Sequence, residues 1–269
     1  MQHLDRDFLD QIKNVAEAAG RATLPIYRSE FEVQTKDDDS PLTQADLAAH
    51  AIIRDGLAEI DEDVEQLSEE GADIEFATRY DWDEYWLIDP LDGTREFVNG
   101  NDEFTINIAL VQDNRPSLGV VYAPALERCW FAAETVGAFE QRGDQAPQPI
   151  STAAADLDRP RVLVSRSHRT EAIDDVLARL GDYEPVSIGS SLKFCLIASG
   201  EADFYPRLGP TSEWDTAAGQ ALVSIAGGRV TNTSGQEMEY NLTESLLNGA
   251  FIAYGDRNHD WLQYLASDD

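Results

Sequence analysis

The sequence predicts two linked halves, an α+β unit over residues 1–150 and an α/β unit over residues 151–269. Three observations carry this reading. Apolar residues recur at helical spacing up to residue 60, short β-rich runs then crowd residues 64–133, and strand-like and helix-like segments alternate beyond residue 160. With 42% apolar residues the chain has material for a core despite a formal charge of −31.

Leu4, Phe8, Ile12, Val15 and Ala19 recur every three or four residues and predict an amphipathic first helix whose end Pro25 disturbs. Phe31, Val33 and Thr35 alternate with polar residues and predict a strand. A second helix is expected from about Thr43 to Ile60, with Thr43 as N-cap and Asp46 in its first turn. VEQL (64–67), YWLID (85–89), FTINIALV (104–111), LGVVYA (118–123) and CWFAA (129–133) follow as strands, suggesting a sheet with helices on one side. The polar stretch 141–160 carries three prolines and no apolar periodicity, which marks a boundary. Beyond it come RVLVS (161–165), a helix near 170–180, a helix opened by Ser190–Ser191 and the strand ADFYP. A helix from about Glu213 to Ala226, closed by Gly227–Gly228, and the strand FIAYG complete the second half.

The 51 acidic side chains against 20 basic ones argue against contacts to nucleic-acid phosphates or anionic lipid. Only Lys13, Lys36 and Lys193 are lysines, and the carboxylates are scattered singly and in pairs. Such a surface suits a salt-rich cytoplasm, where self-repulsion is screened. The start MQHLDRDFLDQ lacks the basic and apolar regions of a signal peptide, and no apolar run approaches the ~20 residues of a membrane span. A cytoplasmic protein without integral membrane association is expected. Cys129 and Cys195 lie far apart in apolar contexts, as ordinary buried thiols. No exposed apolar face assigns an oligomeric state.

The densest chemical signal is Trp86-Leu87-Ile88-Asp89-Pro90-Leu91-Asp92-Gly93-Thr94. An apolar strand runs into two carboxylates three apart, and Pro90 predicts that the chain turns there. Asp89, Asp92 and the Leu91 carbonyl can then share one small volume, an oxygen set suited to Mg²⁺ rather than zinc. An Asx-turn in which Asp and Gly merely make the bend is the alternative. Ser68-Glu69-Glu70 reads as a strand ending in paired glutamates, or else as a solvated loop. Ser212-Glu213-Trp214-Asp215 places Asp215 at a helix start, as a site residue or as a cap.

Together these three motifs resemble the Mg²⁺-dependent, lithium-sensitive phosphatases of the inositol monophosphatase superfamily. Asp92-Gly93-Thr94-Arg95-Glu96-Phe97 followed by Asn101–Leu110 is similar to the 3′(2′),5′-bisphosphate nucleotidase branch, the CysQ type. So are Lys36–Asp46, Val164–His168, Gly189–Cys195 and Tyr205–Thr211. Leu42 and Arg95 stand where Val and Lys are common in that branch, and Gly71-Ala72 follows the Glu pair.

The resemblance implies a sugar-phosphatase fold with layered αβαβα arrangement, residues 1–150 forming a metal-binding half and 151–269 a substrate-binding half. It implies two or three Mg²⁺ ions per site. Glu69, Asp89 and the Leu91 carbonyl would hold the first, and Asp89, Asp92 and Asp215 the second. Thr94 and Asp46 would orient the attacking water and accept its proton. Substrate contacts would come from Glu69, Gly93, Thr94, His168, Ser190, Lys193, Arg207 and Asp215. From position alone, Lys193 beside the Ser190–Ser191 helix start suits a second phosphate through its charge and free backbone donors, or is a solvated side chain. His168 is a substrate contact or an ordinary loop histidine.

The activity implied is removal of the 3′-phosphate from adenosine 3′,5′-bisphosphate, and from 3′-phosphoadenylyl sulfate as a related substrate, in the service of sulfate assimilation. Inositol monophosphate or sugar bisphosphate hydrolysis on the same scaffold is the nearest alternative, and a non-catalytic metal-binding module the more distant one.

Overall fold

The computed structural model describes residues 4–29, 33–35, 41–164 and 170–265. Lys36, Phe31 and the segment around His168 lie outside the described residues. Helix α1 (Arg6–Tyr27) opens on Asp5, whose carboxylate accepts the Phe8 amide at 2.9 Å. It runs through Pro25 and ends two residues later, so the proline sits inside the last turns rather than ending them. A short hairpin of β1 (Val33–Thr35) and β2 (Pro41–Thr43) leads into α2 (Gln44–Ile60). Thr43 caps this helix as expected, in a reciprocal box with Asp46.

The chain continues through β3 (Glu65–Ser68), the short helix α3 (Phe76–Arg79), β4 (Glu84–Asp92), helix α4 (Thr94–Asn99), β5 (Thr105–Gln112) and β6 (Arg115–Ala123). Then follow β7 (Arg128–Ala133), β8 (Gly137–Arg142) and β9 (Gln148–Pro149). These seven strands form one sheet in the order β3-β4-β5-β6-β7-β8-β9, antiparallel except for the parallel β3–β4 pair.

The second half contributes β10 (Arg161–Val164), α5 (Glu171–Leu180), β11 (Glu184–Ser187), α6 (Leu192–Ala198), β12 (Phe204–Arg207) and β13 (Thr211–Ser212). It ends with α7 (Ala217–Ile225), β14 (Arg229–Asn232), β15 (Leu247–Asn248) and β16 (Phe251–Tyr254). Its main sheet has the order β11-β10-β12-β16-β14.

Helices cover both faces of the large sheet, which corrects the expectation of one covered side. Successive side chains of a strand point to opposite faces. Trp86 and Ile88 therefore pack with Leu9, Ile12 and Ile53 of α1 and α2, whereas Tyr85 and Leu87 pack with Ala218, Leu222 and Phe194 of α7 and α6. Strands that are apolar on both faces require cover on both. The five-stranded sheet closes over the far side of α6 and α7 through Leu163, Tyr205 and Phe251. Its outer face buries Val162, Phe204 and Ile252 against Ile173 and Val176 of α5 and against Trp261. The layers run helix, sheet, helix, sheet, helix, in agreement with the αβαβα expectation. Gly119 on β6 lets α7 approach the sheet closely: a Cβ there would lie 2.5 Å from the Ala218 carbonyl oxygen.

Two local expectations change. The chain does not turn at Pro90. β3 stops at Ser68, opposite Ile88, so beyond that point β4 has only β5 beside it and a missing N–H on the open side is tolerated. The β4–β5 register shifts between Asp89 and Asp92, after which Asp92 pairs with Thr105. The predicted Glu213–Ala226 helix is instead a 3₁₀ turn, Glu213–Asp215, followed by α7.

Candidate metal centre

The bulge at the end of β4 sets the site. Asp89 stands opposite Asn107 in register, the two residues after it are taken up by the shift, and Asp92 returns opposite Thr105. The Asx-turn is present, since Asp89 Oδ1 accepts the Leu91 amide at 3.0 Å. That bond does not take the carboxyl out of the cluster. Asp89, Asp92 and Asp215 each bring one carboxylate oxygen within 4.8 Å of the others. Asp215 arrives from the second half on the 3₁₀ turn, held by the Ser212 amide at 2.8 Å from its Oδ2. Glu69, the first residue beyond β3, hydrogen-bonds to the Asp89 carboxyl.

The electrostatics of this cluster are unfavourable for the chain alone. Asp89 is 1% exposed. Its burial, followed by the Glu69, Asp92 and Asp215 carboxylates, drives its pKa well above the ordinary range. Burial and then Asp92 also raise Asp215, against the Ser212 amide and Arg207, which pull the other way. Carboxylates crowded this way either hold protons or hold a cation. The donor set is all oxygen, with no histidine or thiolate, and it fits a hard divalent ion.

The remaining predicted residues divide into those near the cluster and those held elsewhere. Thr94 begins α4, with its hydroxyl 3.4 Å from the Leu91 carbonyl. Gly93 takes a φ of +84°, and a Cβ there would meet Ser190 Cβ at 3.2 Å, so the two abut. Asp46 is buried in its capping box, its Oδ2 2.6 Å from the Thr43 hydroxyl. Its neighbour Ala45 packs with Leu91 and Phe97, which brings the start of α2 against the segment that carries the acids.

Lys193 is 6% exposed rather than solvated, and its ammonium donates to the Ser190 carbonyl at 3.0 Å. Burial lowers its pKa to about 8, against the pull of Asp92, which favours the charged form. Arg207 donates to the Pro210 carbonyl at 3.0 Å. His168 lies outside the described residues.

Two amides of the loop that leads into α6 are taken by acids: Gly189 N donates to Glu103 Oε2 at 2.6 Å and Ser191 N to Asp92 Oδ2 at 2.5 Å. The Ser191 side chain makes no cap bond to the helix and turns to Asp92 instead. The reason is proximity, because the loop is pressed against acids of the first half that sequence position does not reveal. Glu103, Asn107 and Ser191 were not assigned roles from the sequence. The first two sit in the Asn101–Leu110 segment and the third in Gly189–Cys195, so only their membership of those motifs signalled them.

Comparison with known proteins places these features in a common context. Residues 5–266 match the inositol monophosphatase family. The chain is 44% identical over 245 residues, 90% of its own length and 98% of the relative's, to a protein of Salmonella typhimurium named 3′(2′),5′-bisphosphate nucleotidase CysQ. Among solved structures it is similar to CysQ of Bacteroides thetaiotaomicron, with a TM-score of 0.83 at 39% identity over 95% of this chain and 99% of that one. It is also similar to an IMPase of Thermotoga maritima, with a TM-score of 0.80 at 27% identity over 96% of both chains.

Proposed function

The chain belongs to the inositol monophosphatase family, and on that premise we propose that it hydrolyses the 3′-phosphate of adenosine 3′,5′-bisphosphate to AMP and phosphate. 3′-Phosphoadenylyl sulfate is the related substrate, and the reaction would clear a by-product of sulfate assimilation. The observation that carries the reading is the convergence of Asp89, Asp92 and Asp215, with Glu69 bonded to Asp89, beside the buried ammonium of Lys193.

Glu69, Asp89 and the Leu91 carbonyl would hold one Mg²⁺, and Asp89, Asp92 and Asp215 a second. Bound there, the ions supply Lewis-acid charge against the phosphoryl oxygens and make a water acidic at neutral pH. The Thr94 hydroxyl and the Asp46 carboxylate orient that water and take up its proton. Lys193 and Arg207 offset the remaining charge of a doubly phosphorylated nucleotide, and the Gly93 backbone would contact the phosphoryl group. The water oxygen would bond to phosphorus as the bond to the 3′ oxygen breaks, and the nucleoside oxygen would leave with a proton taken from solvent water, the proton of the attacking water having passed to Asp46. In this scheme residues 1–150 supply three of the four carboxylates, and residues 151–269 supply Asp215 and the cationic side chains.

Among the described residues no helix is long and apolar enough to cross a membrane. The two cysteines are free and buried, as expected in a reducing cytoplasm. The test is phosphate release from adenosine 3′,5′-bisphosphate, inositol monophosphate and fructose bisphosphate, with Mg²⁺ and with chelator. Fastest turnover of the adenosine substrate, lost on chelation and in Asp92→Asn, is expected. Faster turnover of inositol monophosphate would overturn the substrate assignment.

A further inference from the structure

Ser191 meets both halves of the acid cluster at once. Its hydroxyl oxygen lies 2.7 Å from Asp92 Oδ2 and 2.8 Å from the Asp215 carbonyl, and it accepts the Asn107 side-chain amide at 2.9 Å. Its backbone amide also donates to Asp92 Oδ2, at 2.5 Å. Asn107 in turn stands directly across the β4–β5 ladder from Asp89. Ser191 is 2% exposed and Asn107 1% exposed, so neither bond competes with bulk water. The Asn107 side-chain oxygen, Oδ1, has no partner among the described residues.

A hydroxyl has one proton to give. With Asn107 donating into its oxygen, that proton is committed to Asp92 Oδ2 or to the Asp215 carbonyl. In the first case Asp92 Oδ2 receives two donors from one residue. One oxygen of the Asp92 carboxylate is then tied to the segment that opens α6. In the second case the hydroxyl donates to the Asp215 carbonyl while the Ser191 amide still holds Asp92 Oδ2, and the two bonds together set the distance between the 3₁₀ turn of the second half and the strand end of the first. Asp92 sits at a strand terminus just before a glycine, with no regular ladder beyond Thr105 to fix it.

We infer that Ser191, oriented by Asn107, is the positioning residue that brings Asp92 and Asp215 to the spacing at which the cluster binds divalent ions. This deepens the proposed function and rests on it. Groups that orient metal ligands through hydrogen bonds act mainly on affinity, typically by 10–100-fold. The same contacts also run into the start of α6, the helix that carries Lys193.

The probe is Mn²⁺, which takes the same oxygen ligands and reports its free concentration by electron paramagnetic resonance. Wild type, Ser191→Ala, Ser191→Thr, Asn107→Ala and the Ser191→Ala/Asn107→Ala double variant are titrated, and each is melted in chelator. Ser191→Ala is expected to weaken Mn²⁺ binding about 10–100-fold, and Ser191→Thr, which keeps the hydroxyl, to stay within a few-fold of wild type. Asn107→Ala weakens binding in the wild-type background and adds nothing in the Ser191→Ala background, which a merely structural role would not produce. Unchanged affinity in Ser191→Ala, or effects of the two substitutions that simply add, would overturn the inference. If Ser191→Ala melts too low to titrate, wild-type affinity in Asn107→Ala overturns it equally. A wild type that takes up no Mn²⁺ would instead remove the metal-dependent reading of the whole site.

Discussion

Replacing Asp89 by Asn should stabilise the cation-free protein while abolishing its response to metal. Asp89, Asp92 and Asp215 have oxygens within 4.8 Å of one another. At that separation and an effective permittivity of about 20, each pair of ionised carboxylates costs about 3.5 kcal/mol, so two pairs cost about 7 kcal/mol. The buried carboxyl avoids this by keeping its proton. Taking a carboxyl from its unfolded pKa of ~3.9 to pH 8 in protonated form costs about 5–6 kcal/mol, and about 1.5 kcal/mol at pH 5. The smaller of the two costs sets the penalty, and an amide of the same shape recovers part of it, about 2–4 kcal/mol at pH 8 and under ~1 kcal/mol at pH 5.

The sign follows from proton uptake. Asp89 and Asp215 have folded pKa values above their unfolded ones, so between the two values the folded chain binds more protons and stability falls as pH rises. With Asp215 pushed up to about 8, the loss runs from about pH 4 to pH 8. The assay is thermal melting at fixed KCl, in chelator and in excess Mg²⁺, at pH 5 and pH 8. In chelator at pH 8 the Asn variant should melt roughly 5–10 °C above wild type, and the gap should close at pH 5. Mg²⁺ should raise the wild-type melting temperature and leave the variant unmoved. A variant that melts at or below wild type in chelator at pH 8 would refute the repulsion argument.

Lys193→Met should raise KM for adenosine 3′,5′-bisphosphate about tenfold or more, as expected for loss of a charge-assisted contact, and leave Mn²⁺ affinity near wild type. The wild-type KM should also climb above pH 8 as Lys193 loses its proton, a limb absent from the variant. Gly119→Ala puts a Cβ 2.5 Å from the Ala218 carbonyl and 2.8 Å from Ala221 Cβ. It should cost about 1–3 kcal/mol or more, read as a lower denaturant midpoint. With a formal charge of −31, wild type should gain several degrees of melting temperature between 0.1 M and 2 M KCl, as the screening length falls from about 10 Å to under ~3 Å. A flat salt response would remove the reading of the surface as built for concentrated salt.

Much of the fold was legible because its signals are local. The Thr43 cap with Asp46, the strands at 85–89 and 104–111, and the amphipathic first helix depend on residues within a few positions of one another. Asp89, Asp92, Asp215 and Glu69, the carboxylates that the resemblance implied as ligands, do come together. Less visible was the cover on both sides of the sheet. Tyr85 and Leu87 are as apolar as Trp86 and Ile88, which implies a second covering layer without saying which distant helix provides it. The passage of β4 through Pro90 was hidden for a similar reason, because it depends on where β3 happens to stop.

The sequence alone determined which side chains have the chemistry to bind a cation, where the Thr43-capped helix begins, and that the surface repels polyanions, because charge, capping and periodicity are properties of neighbours along the chain. Only the tertiary structure decided that Ser191 spends its amide and hydroxyl on Asp92 rather than on a helix cap or a phosphate, and that Lys193 is buried beside it. Residues 92 and 191 are 99 positions apart. Which of several equally plausible partners a short polar side chain takes is settled by the packing that brings the two halves together, and no local pattern contains that distance.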